Sequence, residues 1–282
     1  MTLTADQAGL LPNDADREFF AEHGFWISPV IIPDAVLDAA ERGMARFYAG
    51  ERDAELPAEV GGWTAADGDT LRKNDYSSLR IDELRDLVHY PLIAGCAAGL
   101  IGADSIRLWH DQLLYKPVDA AGTPANVGWH TDRQYWRCCT SERMLTAWVG
   151  FHDVDETNGS VAFMDGSHRW DVDQLDFFNP DLTELESRIT AQGFPLQARP
   201  TRMKRGQVSF HTCRTVHGSG PNHGTAPRRG MAIHLQPGDN RWQPVYKDDG
   251  TLIEHANNRL VRADADGPDY TDPRICPQLW PR

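Results

Sequence analysis

The chain has few cysteines, no long apolar run and no excess of positive charge, and each lack removes a class of protein. Its five cysteines, Cys96, Cys138, Cys139, Cys213 and Cys276, are odd in number and include no C-x-x-C pair. That argues against a disulfide-stapled scaffold or a zinc ribbon and predicts reduced thiols in a cytoplasmic protein. No apolar run approaches the length of a membrane span. The first residues carry neither a basic region nor an apolar core, so no secretory leader is expected. Asn158-Gly159-Ser160 fits a glycosylation sequon, which a chain that is never secreted does not use. Lysine and arginine number 28 against 41 acidic residues, a net charge of −13. That balance disfavours nucleic acid and anionic membrane surfaces as partners. Internal repeats and low-complexity tracts are missing as well.

What is present is a single-domain length of 282 residues, enough for a sizeable core. The first hundred residues read as mostly helical. Asp14 to His23 forms one helix closed by Gly24, and a second opens at Pro33-Asp34 with apolar spacing from Val36 to Tyr48. Between them, Phe25 to Ile32 reads as a short strand. Residues 51–75 lack periodicity and predict a loop. Ile81 to Leu100 predicts a third helix, with Pro91 as a possible break. From Ser105 the pattern turns to strands. Ile106 to Lys116 reads as one long strand with a break, followed by Met144–Phe151, Ser160–Met164, Gln207–Phe210 and Met231–Leu235. Short strands divided by Gly, Pro, Asn and Asp clusters predict a sandwich or jelly roll. The expected layout is a helical part over 1–104, a β core over 105–238 and a loop-rich tail over 239–282. Residues 171–199 read as a polar insertion.

The chemistry concentrates in Trp129-His130-Thr131-Asp132 and in His217. In extended backbone, residues i and i+2 project together, so His130 and Asp132 share a face. A later strand then has to supply a third ligand. Two imidazoles and one carboxylate on one side of a metal form the Fe(II) site that leaves positions open for oxygen and a co-substrate. Arg228, eleven residues past His217, offers a fork for a carboxylate. Alternation turns only one of Arg228 and Arg229 inward. The signal in His-x-Asp alone is weak. The chain has eleven histidines, and His110, His152, His211 and His234 stand in or beside apparent strands. A zinc hydrolase would draw on the same residue types.

Taken with Asn158-Gly159-Ser160, Gly166-Ser167-His168, His217-Gly218-Ser219-Gly220-Pro221-Asn222 and Arg228-Arg229, the motif resembles the phytanoyl-CoA dioxygenase family. The likeness runs in order over residues 16 to 236. It implies a double-stranded β-helix (jelly-roll, cupin-like) core, mainly β with flanking helices. It also implies Fe(II) held by His130, Asp132 and His217, with 2-oxoglutarate and O2 as co-substrates. By the same resemblance Arg228 and Ser219 hold the distal carboxylate of 2-oxoglutarate, and Trp148 and Gln112 lie beside it. Thr131 departs from the glutamine common at that position. Relatives that halogenate replace the carboxylate ligand, and Asp132 is intact, which favours hydroxylation. No basic cradle for a CoA diphosphate is evident.

The expected activity is hydroxylation of a small-molecule metabolite, with desaturation, epoxidation or ring formation as alternatives on the same iron chemistry. A non-catalytic or zinc-binding jelly roll is the third reading. Candidate substrate contacts are Tyr135, Trp136 and Arg137 beyond the motif, His211 before the distal ligand, Arg241 and Trp242 after the last strand, and Asn74 and Tyr76. Lids are expected in 51–75, in 171–199 and after 239.

Overall fold

Short helices seldom persist alone in water, so those flanking this fold depend on an apolar face and on their caps. The computed structural model describes residues 3–119, 126–171 and 182–281. In it, Asp14–His23 is opened by a capping box between Asn13 and Asp16 and closed by Gly24, whose φ of 80° suits glycine. Asp34–Tyr48 buries Leu37, Ala40, Met44 and Phe47. The expected third helix is two, Asp82–Val88 and Pro91–Ile101, with Pro91 in the first turn of the second, where its missing N–H costs nothing.

Among the described residues thirteen strands occur, in chain order: β1 (Phe25–Ile27), β2 (Arg72–Asp75), β3 (Ile106–Lys116), β4 (Val127–His130), β5 (Leu145–Gly150), β6 (Val161–Met164), β7 (Ala198–Pro200), β8 (Val208–Thr212), β9 (His217–Ser219), β10 (Arg228–Pro237), β11 (Ala263–Asp264), β12 (Gly267–Pro268) and β13 (Gln278–Trp280). The larger sheet runs β1-β8-β5-β10-β3-β13, with β2 also on β3, and the smaller runs β4-β9-β6-β7. Every pairing in the two sheets is antiparallel. The two curled sheets form a cupin-like jelly roll.

Alternation divides the larger sheet cleanly. Leu145, Ala147, Val149, Met231, Ile233 and Leu235 pack outward with the helices. Leu114, Trp148 and Ala232 meet Val161 and Phe163 of the smaller sheet in the interior. The break expected in the long strand is instead a bulge. His110 faces His234 and Leu108 faces Leu235, so Trp109 is the extra residue. One added residue reverses the alternation. His110, Gln112, Leu114 and Lys116 therefore all point inward, although Leu108 packs outward with the helices.

Three expectations need correction. The strand after the first helix ends at Ile27, because Pro29 cannot donate to a ladder. Residues 51–75 are not all loop, since Arg72–Asp75 pairs with β3. Buried Asp111 accepts from the hydroxyls of Ser77 and Ser78, 2.6 Å each, and ties down the turn that follows β2. The tail is not a loose lid either. β13 pairs with the start of β3, and Tyr270, Ile275, Cys276 and Leu279 are buried. The Asn257 side chain donates to the Trp109 carbonyl at 2.8 Å, which satisfies the bulge. The polar insertion contains the helix Leu182–Ala191 and β7, and residues 172–181 lie outside the described residues. Among the described residues no helix is long and apolar enough to cross a membrane.

Candidate active site

The site grows from the edge where β4 meets β9. His130 stands directly opposite His217 in that ladder. The approach depends on Gly218, where a Cβ would lie 2.8 Å from the Val127 carbonyl oxygen. Thr131 has extended backbone and a side chain turned away, so Asp132 projects with His130. The three side chains offer ligand atoms all within 4.8 Å of one another.

Their hydrogen bonds prepare these atoms for a metal. His130 Nδ1 contacts the Gly128 carbonyl at 2.8 Å, and His217 Nδ1 contacts the Thr215 carbonyl at 2.9 Å. A carbonyl only accepts, so each Nδ1 carries the proton and each Nε2 keeps its lone pair. Thr146 Oγ1 donates to Asp132 Oδ2 at 2.6 Å, while Asp132 Oδ1 stands 3.8 Å from His217 Nε2. Burial lowers both imidazole pKa values, that of His217 well below its ordinary range. Burial alone would raise Asp132, but the surrounding imidazoles, His217 foremost, hold it well below the usual carboxylate range. Neutral imidazoles beside an ionised carboxylate are the protonation states that metal binding requires. The donor set therefore fits Fe(II).

Two cavities meet at these residues, and Lys73, Gln112, His130, Asp132 and His234 line both. The narrower is walled by Leu114, Trp148, Val161, Ser219, Arg228 and Ala232. Arg228 is buried, donates to the Gly159 carbonyl, and lies over the Trp148 ring at 5.1 Å. Its Nε has no partner, and burial lowers its pKa to about 10. Arg229 points out and pairs with Glu41 at 2.9 Å. Lys116, opposite Arg228 in the β3–β10 ladder, is buried too. It donates to Ser219 Oγ at 2.7 Å, and burial, with Arg228 adding repulsion, lowers its pKa to about 6. Among the described residues neither cation pairs with a carboxylate. A buried guanidinium without an anion makes a receptor for one, with the Lys116 amine beside it as a further hydrogen-bond donor.

Of the expected substrate contacts, Tyr135 and Trp136 line the wider cavity, and His211 lines the narrower. His211 Nε2 lies 3.3 Å from Asp132 Oδ2. Five others are not brought to either cavity. Asn74 donates to the Trp63 carbonyl at 3.0 Å, because alternation in β2 turns Lys73 and Asp75 inward instead. The Tyr76 hydroxyl donates to Asn257 at 2.6 Å in the interior. Arg137 is exposed beyond the turn. Arg241 lies past the far end of β10 and donates to the Gly238 carbonyl. Trp242 packs beside Gly267. Sequence reasoning missed Lys73, Asp75, Lys116, Thr146, Glu254 and His255.

Thr146 yields a prediction. Its hydroxyl is the hydrogen-bond donor that orients the Asp132 carboxylate. Thr146→Val should weaken Fe(II) binding by about 10- to 100-fold, while Thr146→Ser retains it. A metal titration on both variants checks this, and equal affinities would remove Thr146 from the site's support.

The comparisons with known proteins agree with this geometry. The family model described as phytanoyl-CoA dioxygenase (PhyH) matches residues 20–230. The probable alpha-ketoglutarate-dependent hypophosphite dioxygenase of Stutzerimonas stutzeri is 30% identical over 174 residues, which is 60% of this chain and 58% of that relative, less than two thirds of its length. In structure, the carbocyclase SnoK from nogalamycin biosynthesis aligns with a TM-score of 0.72 at 21% identity, over 95% of this chain and 96% of that one. EctD from S. alaskensis, solved with 2-oxoglutarate and 5-hydroxyectoine, aligns with a TM-score of 0.70 at 18% identity, over 97% and 89% of the two chains.

Proposed function

The chain belongs to the phytanoyl-CoA dioxygenase family of Fe(II)- and 2-oxoglutarate-dependent oxygenases, and from that premise we propose that it hydroxylates an unactivated C–H bond of a small-molecule metabolite, releasing succinate and CO2. The whole chain serves as one domain in this reading. His130, Asp132 and His217 hold the metal. Bound there, Fe(II) with 2-oxoglutarate supplies the activation of O2 and the oxidising power directed at the substrate. Arg228 pairs with the distal carboxylate of the co-substrate, and Trp148 fixes the guanidinium from behind. Lys116 donates a hydrogen bond to Ser219 Oγ, which leaves the Ser219 hydroxyl free to donate to the same carboxylate. Gln112 lies between the two cavities.

The observation that carries the reading is a pair of free Nε2 atoms and a carboxylate between two cavities, one of which holds the unpaired Arg228. The buried, unpaired cysteines support a reducing, cytoplasmic setting. The test is a metabolite-pool screen with enzyme, Fe(II), 2-oxoglutarate and O2. A product heavier by one oxygen, formed with succinate, is expected. Loss of two hydrogens would replace hydroxylation by desaturation or ring closure. Absence of any iron-dependent succinate would overturn the enzymatic reading.

A further inference from the structure

The wider cavity, about 350 Å³, lies beside the metal ligands and is lined by Asp75, His110, His234, Glu254 and His255, with Tyr135 and Trp136 as aromatic walls. A pocket of this size takes a small molecule and is near the lower end for such sites. Its polar groups have a definite sense. Thr146 Oγ1 has one proton, which it gives to the Asp132 carboxylate. It therefore accepts from His234 Nδ1, 2.7 Å away. That fixes the His234 tautomer and leaves Nε2 as an acceptor. His110, only 5% exposed, has no hydrogen-bond partner at either ring nitrogen. Its Nδ1 stands 4.0 Å from Asp75 Oδ1, which is unpartnered as well. This gap is too long for a hydrogen bond, and buried polar groups are rarely left without one.

The charges point the same way. Asp75 and Glu254 are the carboxylates of the cavity wall apart from the metal ligand. Burial pushes Asp75 up to about 6, although the Gln112 amide hydrogen-bonds to it. Among the described residues Asp75 has no Lys or Arg ion pair. Lys73, the one Lys or Arg of the lining, is exposed, and its charge holds the Asp75 pKa down less than the Gln112 hydrogen bond does. His234 and His255 are held neutral, at about 4 and about 3, chiefly by burial. An anionic substrate would meet two carboxylates there, whereas a protonated amine would find acceptors and an aromatic face.

We propose that the substrate is a compact molecule carrying a protonated amine, with the ammonium bound between Asp75 and His110 and donating to Asp75 Oδ1. This rests on the oxygenase reading and narrows its substrate class. His234 Nε2 accepts a second donor of the same molecule, and Trp136 closes the wall behind it.

The test uses anaerobic enzyme loaded with Fe(II) and 2-oxoglutarate. The probes are 2-aminocyclohexanol and glucosamine, with cyclohexane-1,2-diol and 2-hydroxycyclohexanecarboxylate as neutral and anionic counterparts. Binding is read by calorimetry, and succinate release is read after O2 is admitted. Saturable binding of the amines, and faster succinate release with them, is expected. Asp75→Asn should weaken amine binding by about 30-fold or more, the usual result of removing one side of a desolvated ion pair. Its affinity for 2-oxoglutarate should be unchanged, which also shows that it is folded. Glu254→Gln, at an exposed position, should weaken amines by a smaller factor. Equal or tighter binding of the diol or carboxylate, no binding of either amine, or unchanged amine affinity in Asp75→Asn would overturn the proposal. Failure to bind 2-oxoglutarate or to form succinate would instead strike the oxygenase reading, because amine binding is measured without turnover.

Discussion

His217→Ala should abolish turnover and lower Fe(II) affinity by at least ~100-fold, the upper end of what losing a mere supporting partner of a ligand costs. With two protein ligands left, the metal loses the imidazole that the β4–β9 ladder sets opposite His130. The fold should survive. His217 makes one side-chain hydrogen bond, to the Thr215 carbonyl, and burial keeps its ring neutral, so removing it leaves no buried charge unpaired. A melting temperature near that of the parent is therefore expected alongside the lost activity. Iron content after dialysis and single-turnover succinate yield check both halves. Near-normal turnover with bound iron would move the third ligand elsewhere. His211, with its ring 4.3 Å from that of His217, would be the first replacement to test.

The clustering of His130, Asp132 and His217 was legible because it obeys a local rule. An extended Thr131 is enough to send His130 and Asp132 the same way, and His217 needs only to lie on a neighbouring strand. The two-sheet architecture was legible too, from strand-length apolar runs between turn residues. The wider cavity was not. His110 enters it because Trp109 bulges and reverses the alternation of β3, and no local pattern marks which residue of a long strand will bulge. His255 and Glu254 enter it because the tail folds back, held by Asn257 on the Trp109 carbonyl and by β13 on β3. A three-residue strand next to prolines leaves no periodic trace. Lys116 enters the sequence reading only as the end of a long strand, and only the β10 register shows it buried beside Arg228. Asp75 lay in a stretch without periodicity, and its strand is defined by pairing with β3 rather than by its own residues. What sequence reasoning lost was the set of side chains placed by long-range contacts, and most of these line the wider cavity.

Arg228→Ala should raise the 2-oxoglutarate requirement steeply while leaving iron bound. The guanidinium is buried, lies over Trp148, and has no carboxylate partner among the described residues. Burial without a counter-ion already lowers its pKa to about 10, so an arriving carboxylate meets a cation that has been stripped of water. Removing one side of such a desolvated pair costs on the order of 2–5 kcal/mol. That corresponds to roughly 30- to 5,000-fold weaker co-substrate binding. Lys116 does not replace it, because burial lowers its pKa to about 6 and its amine is committed to Ser219 and Gly220. Arg229→Ala is the matched control. Arg229 is the next residue of the same strand, half-exposed and paired with Glu41 on the outer face, and surface pairs contribute little. Its loss should change the 2-oxoglutarate Kd by less than about threefold, in keeping with an exposed ion pair. Titrating 2-oxoglutarate into each Fe(II)-loaded variant without oxygen separates binding from chemistry. If Arg229→Ala gave the steep loss and Arg228→Ala the small one, the register of β10 would be shifted by one residue. Ala232 and His234 would then leave the interior, and both cavities would lose that wall.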